Sequence, residues 1–181
     1  MPTRAVRKKW SEFTLLCWSI PIFLTIHNFE EFLTMPEWMN VHLSLLRMKF
    51  FVFRSVSFSP EQLYLSLILV TVVPWVFSLY CLTGIWSKKK LWMMLILQSI
   101  IGWNAVVPHI SGTLILGMYN PGLVTALLIN LPFTIYLFYR SVADGFLVGG
   151  EVRKILFIGI ILYVPLVYLN HLIATYLAML T

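Results

Sequence analysis

The stretch that decides the fold is Leu63–Ile85, LYLSLILVTVVPWVFSLYCLTGI, in which no side chain is charged. A helix of this length is about 34 Å long, which is enough to cross the roughly 30 Å of hydrocarbon in a bilayer. Three lysines, Lys88–Lys90, follow shortly after it. Basic residues are common at the cytoplasmic ends of membrane helices. The stretch therefore predicts a transmembrane helix.

Further apolar runs of similar length lie on both sides of this one. They cover about residues 13–32, 91–116, 123–139 and 155–177, and 63–85 is the second in order. Backbone polar groups cannot stay unpaired in lipid, so each run is predicted to be a helix. We therefore expect an all-α membrane protein, with residues 1–181 forming a single domain that is a bundle of about five transmembrane helices.

The composition of the whole chain favours the same fold class. Of the 181 residues, 60% are hydrophobic and 11% are charged, and the mean hydropathy is +0.87. Soluble domains average roughly 45–50% apolar and about 25% charged residues. The net charge of +6 comes from short basic clusters between the apolar runs. A nucleic-acid-binding protein would instead carry a basic face, so membrane lipids are the expected partners.

The positions of the basic residues predict the orientation. With the N-terminus in the cytoplasm, ten of the 13 lysines and arginines fall in cytoplasmic segments, and Arg47, Lys49 and Arg54 fall outside. This bias follows the positive-inside rule. The segment 34–62, which mixes aromatic and basic residues, is expected to lie at the membrane surface as a helix or a loop. The predicted location is the cell (plasma) membrane.

Polar residues inside the predicted spans are the candidate functional residues, because an ionised group in lipid costs about 2.5–3.5 kcal/mol. His27, Glu30 and Glu31 lie within one helical turn of the first span. Span three contains Asn104 and His109, and span five contains His171. A rise of about 1.5 Å per residue places the three histidines and the glutamates at similar depth in the outer half of the bilayer.

Histidine combined with carboxylate is suitable for two kinds of chemistry. The candidate metal ligands are His27, Glu31, His109 and His171, and the ion would be zinc or iron. The candidate catalytic residues are His27, Glu30, Glu31, Asn104 and His109, among which a glutamate and a histidine could exchange protons with a substrate.

Three sequence elements resemble the HXXEE-domain family of small integral membrane proteins. The first is His27-Asn28-Phe29-Glu30-Glu31, the motif that gives the family its name. The other elements are Asn104-Ala105 followed by His109, and the Tyr119–Gly122 turn leading to Thr125 and Pro132. The resemblance extends over nearly the whole chain. It implies no particular reaction, because the family has none assigned to it.

The residues favour a membrane-embedded enzyme that acts on a lipid or lipid-linked substrate. In a metal-dependent hydrolase, a metal-bound water would attack an ester or amide. In a metal-free isomerase, a glutamate and His27 would move protons at an alkene, and the His27–Glu31 spacing is similar to that of sterol isomerases of the emopamil-binding type. The non-enzymatic alternatives are a transporter, an immunity-type protein and a scaffold subunit. Five spans are few for a transporter, so that alternative implies a homodimer.

Overall fold

The computed structural model describes residues 4–50, 59–83 and 87–180, and all regular structure in these ranges is helical. The helices of this part of the chain are α1 (Arg4–Lys49), α2 (Pro60–Leu82), α3 (Lys88–Leu116), α4 (Leu123–Ala143) and α5 (Gly149–Ala178). The five apolar runs fall within them, except for residues 83–85 at the end of the second run, of which 84 and 85 lie outside the described ranges. The all-helical fold class is confirmed.

Four of these helices, α2 to α5, are long and apolar enough to cross a membrane. Helix α1 is longer than the others but less apolar, since its expected span ends in the polar stretch His27–Glu31. In α5 only 17% of the most apolar stretch is buried inside the molecule. Its large apolar side chains, including Phe157, Val164 and Tyr168, therefore face outward.

The ends of the helices follow from the local sequence. Ser59 and Ser87 precede α2 and α3, and each side chain accepts a hydrogen bond from the backbone N–H three residues further on. This is the usual N-cap arrangement. Helix α3 ends at Gly117, whose φ of +70° is a left-handed conformation that glycine adopts without steric cost. A short connection through Tyr119–Gly122 then starts α4, so α3 and α4 are antiparallel.

Residues 34–49 of the segment expected at the membrane surface are helical and continue α1 without a break. Pro36 lies inside the helix and does not end it. Met39 and Leu46 of this part are buried in a small apolar cluster with Leu63 of α2. Such packing usually contributes more to helix stability than local propensity does. Residues 51–58 of the expected segment lie outside the described ranges.

The main apolar core lies near the start of α1, and the small cluster lies near its end. The core contains Phe13, Cys17, Leu91, Leu95, Leu137 and Ile155, among others. Along α1, the polar stretch His27–Glu31 lies between the two clusters and packs against α3 and α4. The polar residues are therefore held between two apolar layers.

Helix α5 packs closely on α3. A Cβ atom at Gly159 would lie only 2.6 Å from Ser99 Cβ, so no larger residue fits at this crossing. Trp103 Nε1 of α3 donates a hydrogen bond of 3.0 Å to the carbonyl oxygen of Leu156. The close approach of the two helices brings Tyr163 of α5 to the polar residues of α3.

Candidate metal centre

His27 and Glu31 lie one turn apart on α1, and both are buried. His27 is 0% exposed and Glu31 is 8% exposed. Residues four apart share a face of an α-helix, and His27 Nε2 lies 4.0 Å from Glu31 Oε1. One turn of α1 therefore supplies two candidate ligands.

His109 reaches the same place from α3. Its Nε2 lies 3.5 Å from Glu31 Oε1, and its side chain is 2% exposed. The imidazole rings of His27 and His109 are almost perpendicular, with their centroids 4.7 Å apart. His109 belongs to Ala105–Ser111, a π-helical segment inside α3. Such segments occur frequently at functional sites.

The hydrogen bond of His109 Nδ1 determines which ring nitrogen can bind a metal. Nδ1 lies 2.7 Å from the carbonyl oxygen of Pro121. A carbonyl oxygen can only accept, so Nδ1 carries the hydrogen. In the neutral ring the lone pair is then on Nε2, the atom that faces Glu31. Metal-ligating histidines usually have this second hydrogen bond to a carbonyl or carboxylate group.

His27 has an equivalent arrangement on the other side of the centre. Its Nδ1 lies 2.8 Å from Thr125 Oγ1. The hydroxyl of Thr125 donates its own hydrogen to Glu30 Oε2 over 2.6 Å. The hydroxyl oxygen therefore accepts from His27 Nδ1–H, and the lone pair of the neutral ring is on Nε2. In both histidines, therefore, the unprotonated Nε2 atom faces Glu31.

The neighbouring carboxylate, Glu30, has a different position. It accepts hydrogen bonds from the backbone N–H groups of Val124 and Thr125, at 3.2 and 2.8 Å, and from the Tyr119 hydroxyl at 2.7 Å. Those N–H groups lie in the first turn of α4, where unpaired donors and the helix dipole favour a negative charge. Glu30 therefore caps α4 from α1 and also orients Thr125.

The side-chain amide of Asn104 lies beside both Nε2 atoms. Its Nδ2 is 3.3 Å from His27 Nε2 and 3.1 Å from His109 Nε2, so each lone pair has an N–H donor. Its Oδ1 accepts a hydrogen bond of 3.1 Å from the hydroxyl of Tyr163. Helix α5 thereby contributes one hydrogen bond to the centre.

Gly122 closes the centre at the α3–α4 connection. Its φ is +81°, a conformation that side chains disfavour. A Cβ atom there would lie 2.6 Å from His109 Cε1, 2.8 Å from His27 Cε1 and 3.0 Å from Glu31 Cγ. Only glycine allows the chain to pass this close to the three candidate ligands.

The ligand atoms of His27, Glu31 and His109 all lie within 4.8 Å of one another, which would allow them to hold one metal ion. A tetrahedral zinc site with bonds of about 2.0–2.1 Å has ligand atoms about 3.4 Å apart. The two Glu31 distances of 3.5 and 4.0 Å are close to that spacing, and small movements of the three side chains would bring all the ligand atoms to it. A buried carboxylate beside two uncharged rings also requires a cation or a proton to neutralise it. The residues therefore fit a divalent metal ion.

Comparison with known proteins identifies the family. Residues 18–137 match the family described as "Protein of unknown function with HXXEE motif". The chain belongs to the HXXEE family. It is also similar to the "Uncharacterized protein YrkK" of Bacillus subtilis (strain 168), with 27% identity over 148 residues, which are 80% of this chain and 88% of that protein. No solved structure matches the chain.

The geometry gives each polar residue of the HXXEE motif its own position. The histidine, His27, and the second glutamate, Glu31, face the candidate metal position. The first glutamate, Glu30, caps α4. The motif thus combines two candidate ligands with the side chain that attaches α4 to α1.

His171, the fourth predicted ligand, lies elsewhere in this HXXEE protein. Its ring nitrogens lie 3.1 and 3.3 Å from Gln62 Nε2 of α2. The prediction rested on depth along α5, and depth says nothing about the side of the helix on which a residue lies. The candidate ligand set therefore contains three of the four residues expected from the sequence.

Three residues of the centre are not apparent as site residues from the sequence pattern. Gly122 and Thr125 carry a partial signal, because they belong to the turn region that resembles the HXXEE family. Tyr163 carries none, since a tyrosine in an apolar span is more often found at the membrane interface. Its role becomes visible only through the hydrogen bond to Asn104.

Proposed function

We propose that this chain is a membrane-embedded enzyme that uses a divalent metal ion to hydrolyse an ester or amide of a lipid or lipid-linked substrate. The observation that carries the proposal is the convergence of His27 Nε2, His109 Nε2 and Glu31 Oε1 in a buried place. The hydrogen bonds of both Nδ1 atoms support it, because they place the lone pair of each neutral ring on Nε2, the nitrogen that faces Glu31.

The membrane location is supported by the surface of the molecule. Four helices are long and apolar enough to cross a bilayer, and large apolar side chains face outward along α2 and α5. The distribution of lysine and arginine favours a cytoplasmic N-terminus in the cell membrane. On this orientation the candidate metal centre lies in the outer half of the bilayer.

The chemistry of the ligand set favours catalysis. Two histidines and one glutamate are the protein ligands of zinc hydrolases that keep a fourth position open for water. A metal ion in such a site makes its bound water a nucleophile at neutral pH and polarises a carbonyl group. Two histidines and a carboxylate also form the open site of non-haem iron enzymes. The ligand set therefore favours zinc or iron.

A lipid-like substrate is supported by the surroundings of the centre. Ile26, Phe29 and Phe32 are neighbours of the ligands in the sequence of α1 and are 44%, 60% and 42% exposed, although Phe32 also packs against Tyr64 of α2. Hydrocarbon would therefore surround this level of α1 in a bilayer, so a substrate of the centre is expected to be one that dissolves in the bilayer.

The proposal is tested on the purified full-length protein by measuring its metal content. We expect stoichiometric zinc or iron in the wild type, and its loss in His27→Ala and in His109→Ala. His171→Ala is the matched control, because His171 bonds to Gln62 outside the centre, and it should keep the metal. A metal-free wild-type protein, or variants that all keep the metal, would exclude the metal centre.

Activity is tested by incubating the protein with membrane lipid extracts and comparing the products by mass spectrometry. Wild type and His171→Ala should release the same acyl or head-group product, and His109→Ala should release none. Identical product profiles for all three proteins would contradict the enzymatic proposal even where the metal is present.

A second candidate is a metal-free isomerase. The observation that favours it is the position of Glu31 between two imidazole rings whose lone pairs are already paired with the Asn104 amide. Such a carboxyl group could pass a proton to a substrate. Activity that persists after complete removal of metal, and is lost in Glu31→Gln, would favour this candidate over the hydrolase.

A further inference from the structure

The Asn104 amide lies at the place where a metal would have to bind. Its nitrogen atom, Nδ2, is 3.3 Å from His27 Nε2 and 3.1 Å from His109 Nε2. Both Nε2 atoms carry lone pairs, because both Nδ1 atoms donate to other groups. A metal ion that takes up these lone pairs must therefore displace the amide or be bound by it.

The distances among the four groups favour binding. In a tetrahedral site with bonds of about 2.1 Å, the ligand atoms are about 3.4 Å apart. The amide lies 3.3 and 3.1 Å from the two Nε2 atoms. Glu31 Oε1 lies 3.5 Å from His109 Nε2 and 4.0 Å from His27 Nε2. Three of these four separations are close to that of a tetrahedral site, and the two Nε2 atoms, which together with Glu31 Oε1 lie within 4.8 Å of one another, would move closer together around an ion.

The amide can change the atom that it presents without losing hydrogen bonds. A half turn about its Cβ–Cγ bond exchanges Nδ2 and Oδ1. The hydroxyl of Tyr163 now donates to Oδ1 over 3.1 Å. A tyrosine hydroxyl can donate or accept, so after the half turn it would accept from the NH₂ group. Asn104 Oδ1 would then face the two Nε2 atoms, with the metal between them.

We propose that Asn104 is the fourth ligand of the centre and that its amide turns over when the metal binds. The inference rests on the proposed function, since it requires that His27, Glu31 and His109 hold a metal. Without metal, the NH₂ group pairs with both lone pairs; with metal, Oδ1 coordinates. A neutral amide oxygen is a weaker donor than the other three ligands. It is therefore the ligand that water or substrate displaces, which gives the open position of a catalytic site.

The competing role for Asn104 has the opposite effect on affinity. If the amide only donates to the histidines in the metal-free protein, it competes with the metal. Its removal would then leave zinc binding unchanged or make it tighter. If the amide oxygen is a ligand, its removal weakens zinc binding. The sign of the change therefore distinguishes the two roles.

The test measures zinc affinity of the purified full-length protein by competition with a chromophoric chelator. We expect Asn104→Leu, which has a similar size and no donor atom, to bind zinc at least about tenfold more weakly. Asn104→Asp keeps an oxygen ligand and adds a negative charge, so it should bind zinc at least as tightly as the wild type. Asn170→Leu is the matched control, because Asn170 bonds to Ser66 between α2 and α5, and its affinity should not change.

The visible spectrum of the Co²⁺-substituted protein provides a readout of the coordination itself. The spectrum should change in Asn104→Leu and stay as in the wild type in Asn170→Leu. Unchanged or tighter zinc binding by Asn104→Leu, with an unchanged Co²⁺ spectrum, would overturn the fourth-ligand assignment and leave the three-ligand centre intact. A wild-type protein that binds no zinc and no iron would overturn both. Equal weakening in Asn170→Leu would count against Asn104, since it would indicate a general effect on folding.

Discussion

Gly122 touches all three candidate ligands, so the centre should tolerate no side chain there. In Gly122→Ala, the added Cβ would overlap His109 and His27, at 2.6 and 2.8 Å from their Cε1 atoms. We expect the variant to lose metal binding and to be less stable than the wild type. Metal analysis and thermal unfolding in detergent measure the two effects.

Gly117→Ala is the control for this prediction. Gly117 also has a positive φ, of +70°, but nothing lies within 4 Å of a Cβ atom there. Its substitution should cost about 1–2 kcal/mol of backbone strain and leave the metal in place. Equal metal content in Gly117→Ala and Gly122→Ala would contradict the proposed contact between the turn and the ligands.

The two adjacent glutamates should respond differently to the same substitution. Glu31→Gln removes a ligand and a buried charge, so we expect loss of the metal and no loss of stability in the metal-free protein. Glu30→Gln removes the carboxylate that caps α4, so we expect the metal-free protein to lose about 1–2 kcal/mol while metal binding remains. Thermal unfolding with and without zinc measures both changes. Metal retention in Glu31→Gln together with metal loss in Glu30→Gln would reverse the assignment.

At the scale of the elements, the π-helical segments explain how α3 supplies two groups to one centre. Residues five apart in a regular α-helix point about 140° away from each other. Asn104 and His109 are five apart, yet both reach the same place, because i to i+5 hydrogen bonding widens the turn between them. A second π-helical segment, Ala126–Asn130, lies in α4. The wider turns therefore orient the site residues.

Deletion of Val107 should convert the π-helical segment of α3 into regular α-helix. Val107 is 42% exposed and lies inside the segment. We expect the variant to fold and to keep the metal, because Asn104 and His109 would then be four residues apart in a regular α-helix and would still face the same side. Deletion of Val72 from the regular helix α2 is the control, and it should destabilise the protein strongly by rotating the rest of that helix. Loss of the metal from a normally folded Val107 deletion variant would contradict this role of the π-helical turn.

At the scale of the whole molecule, the number of membrane spans decides where the two ends lie. Five spans would place the two ends of the described bundle on opposite sides of the membrane, with the N-terminal end in the cytoplasm on the orientation proposed above. If α1 does not cross the bilayer, the remaining four helices place the two ends of the bundle on the same side. We expect opposite sides, measured with topology reporters fused to either end in bacterial cells. Reporters on the same side, or release of the protein by an alkaline wash of the membranes, would contradict the five-span arrangement.

The helices and most of the candidate ligands could be predicted from the sequence. The apolar runs are long, so the helices follow from length and hydrophobicity alone. His27 and Glu31 lie four residues apart, and this spacing puts them on one face of any helix. The continuation of α1 through Pro36 could not be predicted, because the apolar cluster that stabilises it contains Leu63 of α2.

Hydrophobicity and residue spacing act along the chain, and they are sufficient to specify the helices and the side chains that need a partner in an apolar interior. Which helices are neighbours depends on contacts between distant residues, such as Gly159 against Ser99 or Gly122 against the two imidazoles. For this reason only the folded bundle could separate His109, which joins Glu31, from His171, which pairs with Gln62. The two histidines differ little in local sequence character, and it is the packing of α3 and α5 that assigns them to different places.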